Sequence, residues 1–216
     1  MELIRLHVSD VVTPESHPTP GQVTSNYSYV VRSEGGNLLF DTGLGPPHTG
    51  IDLTFKPTRF NLPDLLRGHN LQVEDVDIVV NCHLHFDHCG GNRLFPRTPI
   101  LAQSLEYERV TQPGYTLVEW VNKEAAQYEI IHGEYEIWPG VVVVPTPGHT
   151  IGHQSVVLEA PEGPIVLGGQ LAESAHAFDR AKCSHDIGLE DQGRNTIRLI
   201  QKRGSSVEFV GELWLG

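Results

Sequence analysis

Apolar and polar residues alternate along 2–8, Glu2-Leu3-Ile4-Arg5-Leu6-His7-Val8, and predict a first strand. Residues 10–25 mix Pro, Ser, Thr and Gly and predict a loop set over a cleft. Two further apolar runs, 26–32 and 36–41, predict paired strands joined by a hairpin at Ser33-Glu34-Gly35-Gly36. Residues 46–60 read as a second loop, with Phe55 and Phe60 facing solvent or substrate, and Asn61 caps a helix with Pro63 in its first turn. Val76-Asp77-Ile78-Val79-Val80 predicts a buried strand continuing to residue 81, and 99–102 a short one. Ser104 is expected to cap a helix with acidic residues near its start, and 117–127 to form an amphipathic helix.

From residue 128 the pattern changes to strands at 128–131, 135–138 and 141–144. The last of these, four valines without polar alternation, is expected to be buried on both faces. Strands follow at 154–158 and 164–167, then an irregular stretch over 175–189. A helix over 191–202 directs Ile197, Leu199 and Ile200 inward, Gly204 ends it, and 207–210 is the final strand. Two groups of strands, each followed by helical segments, imply an α/β chain with two sheets between helices in four layers. A length of 216 residues fits one domain spanning 1–216 with a sizeable core.

The formal charge is −12, from 27 acidic and 15 basic residues, without the clustered Lys/Arg that phosphate backbones or anionic membranes attract. A small-molecule substrate is therefore expected rather than nucleic acid or membrane, and a homodimer is allowed. The three cysteines, Cys82, Cys89 and Cys183, form no C-x-x-C pair. With an amino terminus lacking a signal peptide's apolar segment, they point to the cytoplasm. No apolar run approaches membrane-spanning length.

Candidate chemistry concentrates in Asn81-Cys82-His83-Leu84-His85-Phe86-Asp87-His88-Cys89-Gly90-Gly91. Residues two apart on an extended backbone face the same side, so His83 and His85 converge, and Asp87 and His88 follow where the chain turns. Imidazole and carboxylate are ligands that zinc and iron accept. Cys82 and Cys89 flank the cluster and read as small buried packing residues. The pattern His83-x-His85-x-Asp87-His88 resembles the signature of the metallo-β-lactamase superfamily, and its surroundings are most similar to the N-acyl-homoserine lactonase branch. The resemblance implies a four-layer αβ/βα sandwich with the metal site at one edge between the sheets.

Pro145-Thr146-Pro147-Gly148-His149-Thr150 resembles the superfamily's second ligand motif. His83, His85 and His149 would supply three imidazoles and leave a fourth position open, the arrangement of a catalytic zinc. The resemblance implies that Asp41 orients a ligand histidine and that His153 plays a supporting role. For a second metal it implies Asp87 and His88, completed by an aspartate after an apolar strand and a histidine near the carboxyl end. Here those places hold Gln170 and Glu212, and the place of a carbonyl-binding tyrosine holds Glu173. Three arrangements are open: one metal at His83/His85/His149; two metals, the second on Asp87, His88, Gln170 and Glu212; or a site altered out of catalysis. His185-Asp186 is a displaced candidate pair, and His176 a loop histidine within reach of substrate.

The implied activity is metal-dependent hydrolysis, with a metal-bound hydroxide attacking an ester, lactone or thioester carbonyl. Zinc, one or two ions, is the expected cofactor, with iron as the alternative. Asp87 would orient or deprotonate the nucleophile, and Glu173 would act as acid/base. The alternatives are a mononuclear iron or zinc enzyme of non-hydrolytic chemistry and a catalytically degenerate ligand-binding module.

Overall fold

The computed structural model describes residues 1–17, 20–121, 123–172, 175–183, 188–202, 206–209 and 211–213. Its strands are β1 (Glu2–Val12), β2 (Val23–Ser33), β3 (Gly36–Phe40), β4 (Thr58–Arg59), β5 (Ile78–Val80), β6 (Pro99–Gln103), β7 (Gln127–Ile131), β8 (Tyr135–Trp138), β9 (Val141–Pro145), β10 (Gln154–Leu158), β11 (Ile165–Gly169), β12 (Ser206–Phe209) and β13 (Gly211–Leu213). The helices are α1 (Thr49–Phe55), α2 (Leu62–Gly68), α3 (Phe86–Cys89), α4 (Ser104–Arg109), α5 (Val118–Val121), α6 (Ala175–Asp179) and α7 (Glu190–Lys202).

The strands form two sheets, ordered β4-β1-β2-β3-β5-β6-β7, with β13 also on β2, and β12-β11-β10-β9-β8. Period-two alternation decides which side chains meet where. Tyr29, Val31, Leu38, Phe40, Ile78 and Val80 of the first sheet face Val141, Val143, Val156, Leu158 and Leu167 of the second, and together they form the core between the sheets. The intervening residues Val30, Leu39 and Val79 point outward, where Leu62 and Leu66 of α2 cover them. Val166 points outward from the second sheet onto Ile197 and Ile200 of α7. The layers are therefore helix, sheet, sheet, helix, the αβ/βα order that the resemblance implies.

Several elements differ from the sequence expectation. The stretch 10–25 is shorter as a loop, because β1 runs to Val12 and β2 starts at Val23, bonded in antiparallel register Val12↔Val23. The loop 46–60 contains α1 and β4; His48 caps α1 by accepting from the Ile51 amide. The helix expected over 117–127 is confined to Val118–Val121, since residues from Gln127 pair in parallel with β6. The strand expected over 76–81 is only Ile78–Val80. Part of the irregular stretch 175–189 is α6. Asn61 caps α2 as expected, accepting from the Asp64 amide at 3.0 Å. α4 begins at Ser104 itself, after an uncapped Gln103. Leu199 is 62% exposed rather than inward, one residue off the apolar stripe that Ile197 and Ile200 define on α7.

The topology explains where a site forms. β3 and β5 are parallel neighbours with Phe40 opposite Val80, so Asp41 and Asn81-Cys82-His83 leave the sheet side by side. In the second sheet, β9 ends at Pro145 opposite the start of β10 at Gln154, and β11 ends at Gly169 on the same edge. Gln154 joins the two edges: its amide N–H donates to the Cys82 carbonyl at 2.8 Å, and its Nε2 donates to the Asn81 and Leu101 carbonyls.

Candidate metal centre

The turn after β5 is held by buried polar side chains. The Asn81 side-chain amide and the Thr42 backbone amide both donate to the His88 carbonyl, at 3.1 and 2.9 Å. Asn92 Nδ2 donates to Asn81 Oδ1 at 2.8 Å, and Thr42 Oγ1 donates to Asn92 Oδ1 at 2.7 Å. With its backbone tied this way, the chain turns into α3, whose preceding residue is His85.

His83, His85 and His149 converge. One ring nitrogen from each lies within 4.8 Å of the others, and His149 Nε2 stands 3.2 Å from His85 Nδ1. His83 is fully buried. Its Nδ1 lies 3.0 Å from Cys82 Sγ, and its Nε2 has no hydrogen-bond partner among the described residues. A buried imidazole nitrogen without a partner is costly unless a ligand completes it. Burial, then the neighbouring His88, His85, His149 and His153, hold the His83 imidazole well below its usual range. The neutral ring is the form a metal needs, so the residues present fit an ion at this point.

His88 lies beside this group, fully enclosed. Its Nδ1 is 3.0 Å from Asp41 Oδ2, and its Nε2 is 3.0 Å from Gln170 Oε1 and 3.6 Å from Asp87 Oδ2. Burial alone would lower its pKa, but Asp87, Asp41 and the bonds to Asp41 and Gln170 outweigh it and raise the ring to about 9. With acceptors at both nitrogens, the metal-free His88 is an imidazolium. A metal here would have to displace the Nε2 proton together with the Gln170 bond. Asp41 also accepts the Cys82 amide at 2.8 Å, and its backbone adopts φ 60.

His153 does not face the three imidazoles as a ligand. Its Nε2 accepts the Gln170 amide N–H at 3.2 Å, which leaves Nδ1 to donate to the Thr146 carbonyl at 3.0 Å. Burial lowers it to about 3, so the ring stays neutral in that tautomer. The close approach of the two edges requires glycine at 169. Its φ is +60, and a Cβ there would lie 2.4 Å from Cys82 Cβ.

The structure therefore brings His83, His85, His149, Asp87, His88, Gln170, Asp41 and His153 to one place. Glu212 sits on β13, opposite Ser25 in register. Glu173 and the pair His185-Asp186 lie outside the described residues. His176 is an exposed residue of α6. A residue that the pattern did not single out is Glu106. It was expected among the acids at the start of α4, yet it is only 1% exposed and accepts hydrogen bonds from both ligand-bearing loops. Its only sequence signal is ordinary first-turn acidity, which an exposed glutamate gives equally.

A cavity of about 230 Å³ opens over the cluster. His85, Asp87, His88, His149 and Gln170 contribute to its lining, and Val11, Pro14, Phe55 and Phe86 give it apolar wall. Thr13, Pro14 and His17, from the connection between β1 and β2, also line this cavity.

Comparison with known proteins places the chain in a family. The sequence is 34% identical over 164 residues to an N-acyl homoserine lactonase of a Bacillus species, and 33% identical over 163 residues to one of Bacillus cereus. Each match covers 69% of this chain but only 65% of the curated relative. The fold superposes on a crystallised N-acyl homoserine lactone hydrolase, bound to N-hexanoyl-L-homoserine at its catalytic metal centre, with a TM-score of 0.83. That match covers 97% of this chain and 92% of the other at 24% identity. AidC, a dizinc quorum-quenching lactonase, superposes with a TM-score of 0.69 at 16% identity, over 90% of this chain and 74% of the other. Residues 21–202, which carry both histidine motifs and the two sheet edges that present them, match the Metallo-beta-lactamase superfamily, and the chain belongs to it.

Proposed function

We propose that this protein is a metal-dependent hydrolase of the lactonase type, acting on an ester, lactone or thioester carbonyl. The observation that carries this reading is the convergence of His83, His85 and His149 beside the cavity, with the His83 Nε2 buried and, among the described residues, unpartnered. The relatives named as N-acyl homoserine lactonases support a lactone of that kind as substrate. When bound, the ion supplies Lewis acidity to a carbonyl oxygen and lowers the pKa of a water at its open position to about 7.

The chain's own residues do the rest. Asp87 lines the cavity beside the imidazoles and is placed to take a proton from the attacking water. Val11, Pro14, Phe55 and Phe86 hold an apolar substituent and exclude water from it. We read the centre as holding one tightly bound ion, zinc in the first instance, because Gln170 stands where the resemblance implies a bridging aspartate. An amide oxygen is a weaker ligand than a carboxylate and offsets no charge. Metal analysis of the protein as purified, with acid release measured over a panel of lactones, esters and thioesters, tests the reading. The expected result is about one zinc per chain and turnover that His83→Ala abolishes. Turnover absent from the whole panel, or unaffected by His83→Ala, overturns it.

The same substitution favours a second reading, a mononuclear enzyme of non-hydrolytic chemistry. With Gln170 Oε1 on His88 Nε2, the second position already has an internal partner in the metal-free chain. About one iron per chain together with absent hydrolysis would select this reading; two zinc ions per chain would exclude it.

A further inference from the structure

We infer that Glu106 is a positioning residue for the metal centre: its single carboxylate ties together the two loops that carry the three imidazoles. The inference rests on the metal-dependent reading above. Glu106 lies on α4, outside both histidine motifs, and is 1% exposed. Its Oε1 accepts the Leu84 backbone amide at 2.8 Å, and Leu84 is the residue between His83 and His85. Its Oε2 accepts the Thr150 hydroxyl at 2.7 Å, and Thr150 follows His149. The Tyr115 hydroxyl also donates to Oε1, and the Tyr115 ring packs tilted against His85 with centroids 4.7 Å apart.

The three partners belong to three separate stretches of chain, and all three donate. An ionised carboxylate is the side-chain group that accepts at both of its oxygens without carrying a donor of its own. The contact is also close at the backbone. A Cβ on Gly152 would lie 2.3 Å from the Glu106 amide nitrogen, so the His149 loop rests directly on the start of α4. Burying an acid here is otherwise unfavourable. Each bond instead fixes a segment that must not move if three nitrogens are to stay within 4.8 Å of one another. Among the described residues, His83 Nδ1 lies against the weakly accepting Cys82 sulfur.

Glu106→Gln keeps the shape but has one accepting oxygen, and its NH2 then opposes a donor. The experiment uses the purified full chain and reads two quantities. The first is affinity for zinc and cobalt(II), by competition with a chromogenic chelator, with the cobalt visible spectrum reporting ligand geometry. The second is amide exchange of the metal-free protein, followed by mass spectrometry. In Glu106→Gln, metal affinity is expected to fall about 10–100-fold, as for other residues that orient ligands, and the cobalt spectrum to change. Exchange is expected to quicken around residues 83–85 and 149–151, with the strands between the sheets as protected as in the wild type. Thr150→Val and Tyr115→Phe remove one bond each and serve if Glu106→Gln does not fold; each is expected to give a smaller loss of affinity with the same local pattern. Affinity within twofold of wild type with unchanged exchange overturns the inference, as does exchange that rises uniformly through the core. A wild type that takes up no zinc overturns the functional reading instead, and the exchange data then decide Glu106 alone.

Discussion

Substitutions at Asp41 separate three effects that this one buried residue combines. Its Oδ1 accepts the Cys82 amide at 2.8 Å, its Oδ2 faces His88 Nδ1 at 3.0 Å, and its backbone sits at φ 60. Asp41→Ala orphans two buried donors at about 1–3 kcal/mol each and leaves an alanine in the left-handed region at a further ~1–2 kcal/mol. The expected loss is about 3–8 kcal/mol, which approaches the whole stability of an ordinary domain. Asp41→Gly orphans the same donors without the strain, so it should be more stable than Asp41→Ala by about 1–2 kcal/mol. Asp41→Asn should be mildest. Asparagine tolerates the left-handed backbone, its oxygen still takes the Cys82 amide, and its NH2 can donate to His88 Nδ1 once the ring keeps its proton on Nε2, where Gln170 Oε1 receives it. Loss of the charge from the His88 bond then amounts to about 1 kcal/mol. Urea unfolding of the chelator-treated proteins measures the series. Asp41→Ala within about 1 kcal/mol of wild type, or Asp41→Gly no more stable than Asp41→Ala, refutes the reasoning.

Gln170→Asp should restore a bridging carboxylate beside His88 Nε2 and raise bound zinc from about one toward two ions per chain, read by mass spectrometry; unchanged stoichiometry would show that the amide is not what limits the second position. Gly90→Ala should fail to give folded protein, because a Cβ there would lie 2.0 Å from the Gly45 amide nitrogen, backbone that cannot rotate away; a soluble variant with wild-type circular dichroism would contradict this. For the metal-free protein, the pH dependence of stability has two arms. His153, lowered to about 3, stays neutral when folded but is protonated when unfolded below about pH 6.5, so its contribution is present above pH 6.5 and is lost as the pH falls toward 3; His83 acts in the same direction. His88, raised to about 9, contributes fully below pH 6.5 and loses its contribution as the pH rises through 9. Urea midpoints across pH 4–10 should therefore peak near neutrality in chelator, and a flat profile would exclude these histidine environments.

Much of the fold is written locally. Alternation and continuous apolar runs marked strands that line the core between the sheets, and Asn61 with Pro63 announced α2. The short helices α1, α5 and α6 were misjudged in extent or missed, since their few turns give little periodicity and their placement depends on what they pack against. Leu199 shows the same limit on α7: its apolar character suggested burial, but its angular position on the helix leaves it in solvent.

The sequence by itself determined the candidate ligand set. His83-x-His85-x-Asp87-His88 and the distant Gly148-His149 bring ligand types at spacings that few other functions require, and strand ends deliver them to one point. What only the tertiary structure decided is what surrounds each ligand. Among the described residues His83 Nε2 is left unpartnered, His153 is spent on Thr146 and Gln170, His88 is capped by an amide, and a helix residue, Glu106, grips both loops. The physical reason is that a side chain's type and spacing fix what it can bond. Which partner it meets depends on two sheet edges, remote in sequence, being packed against each other, and no local pattern encodes that distance.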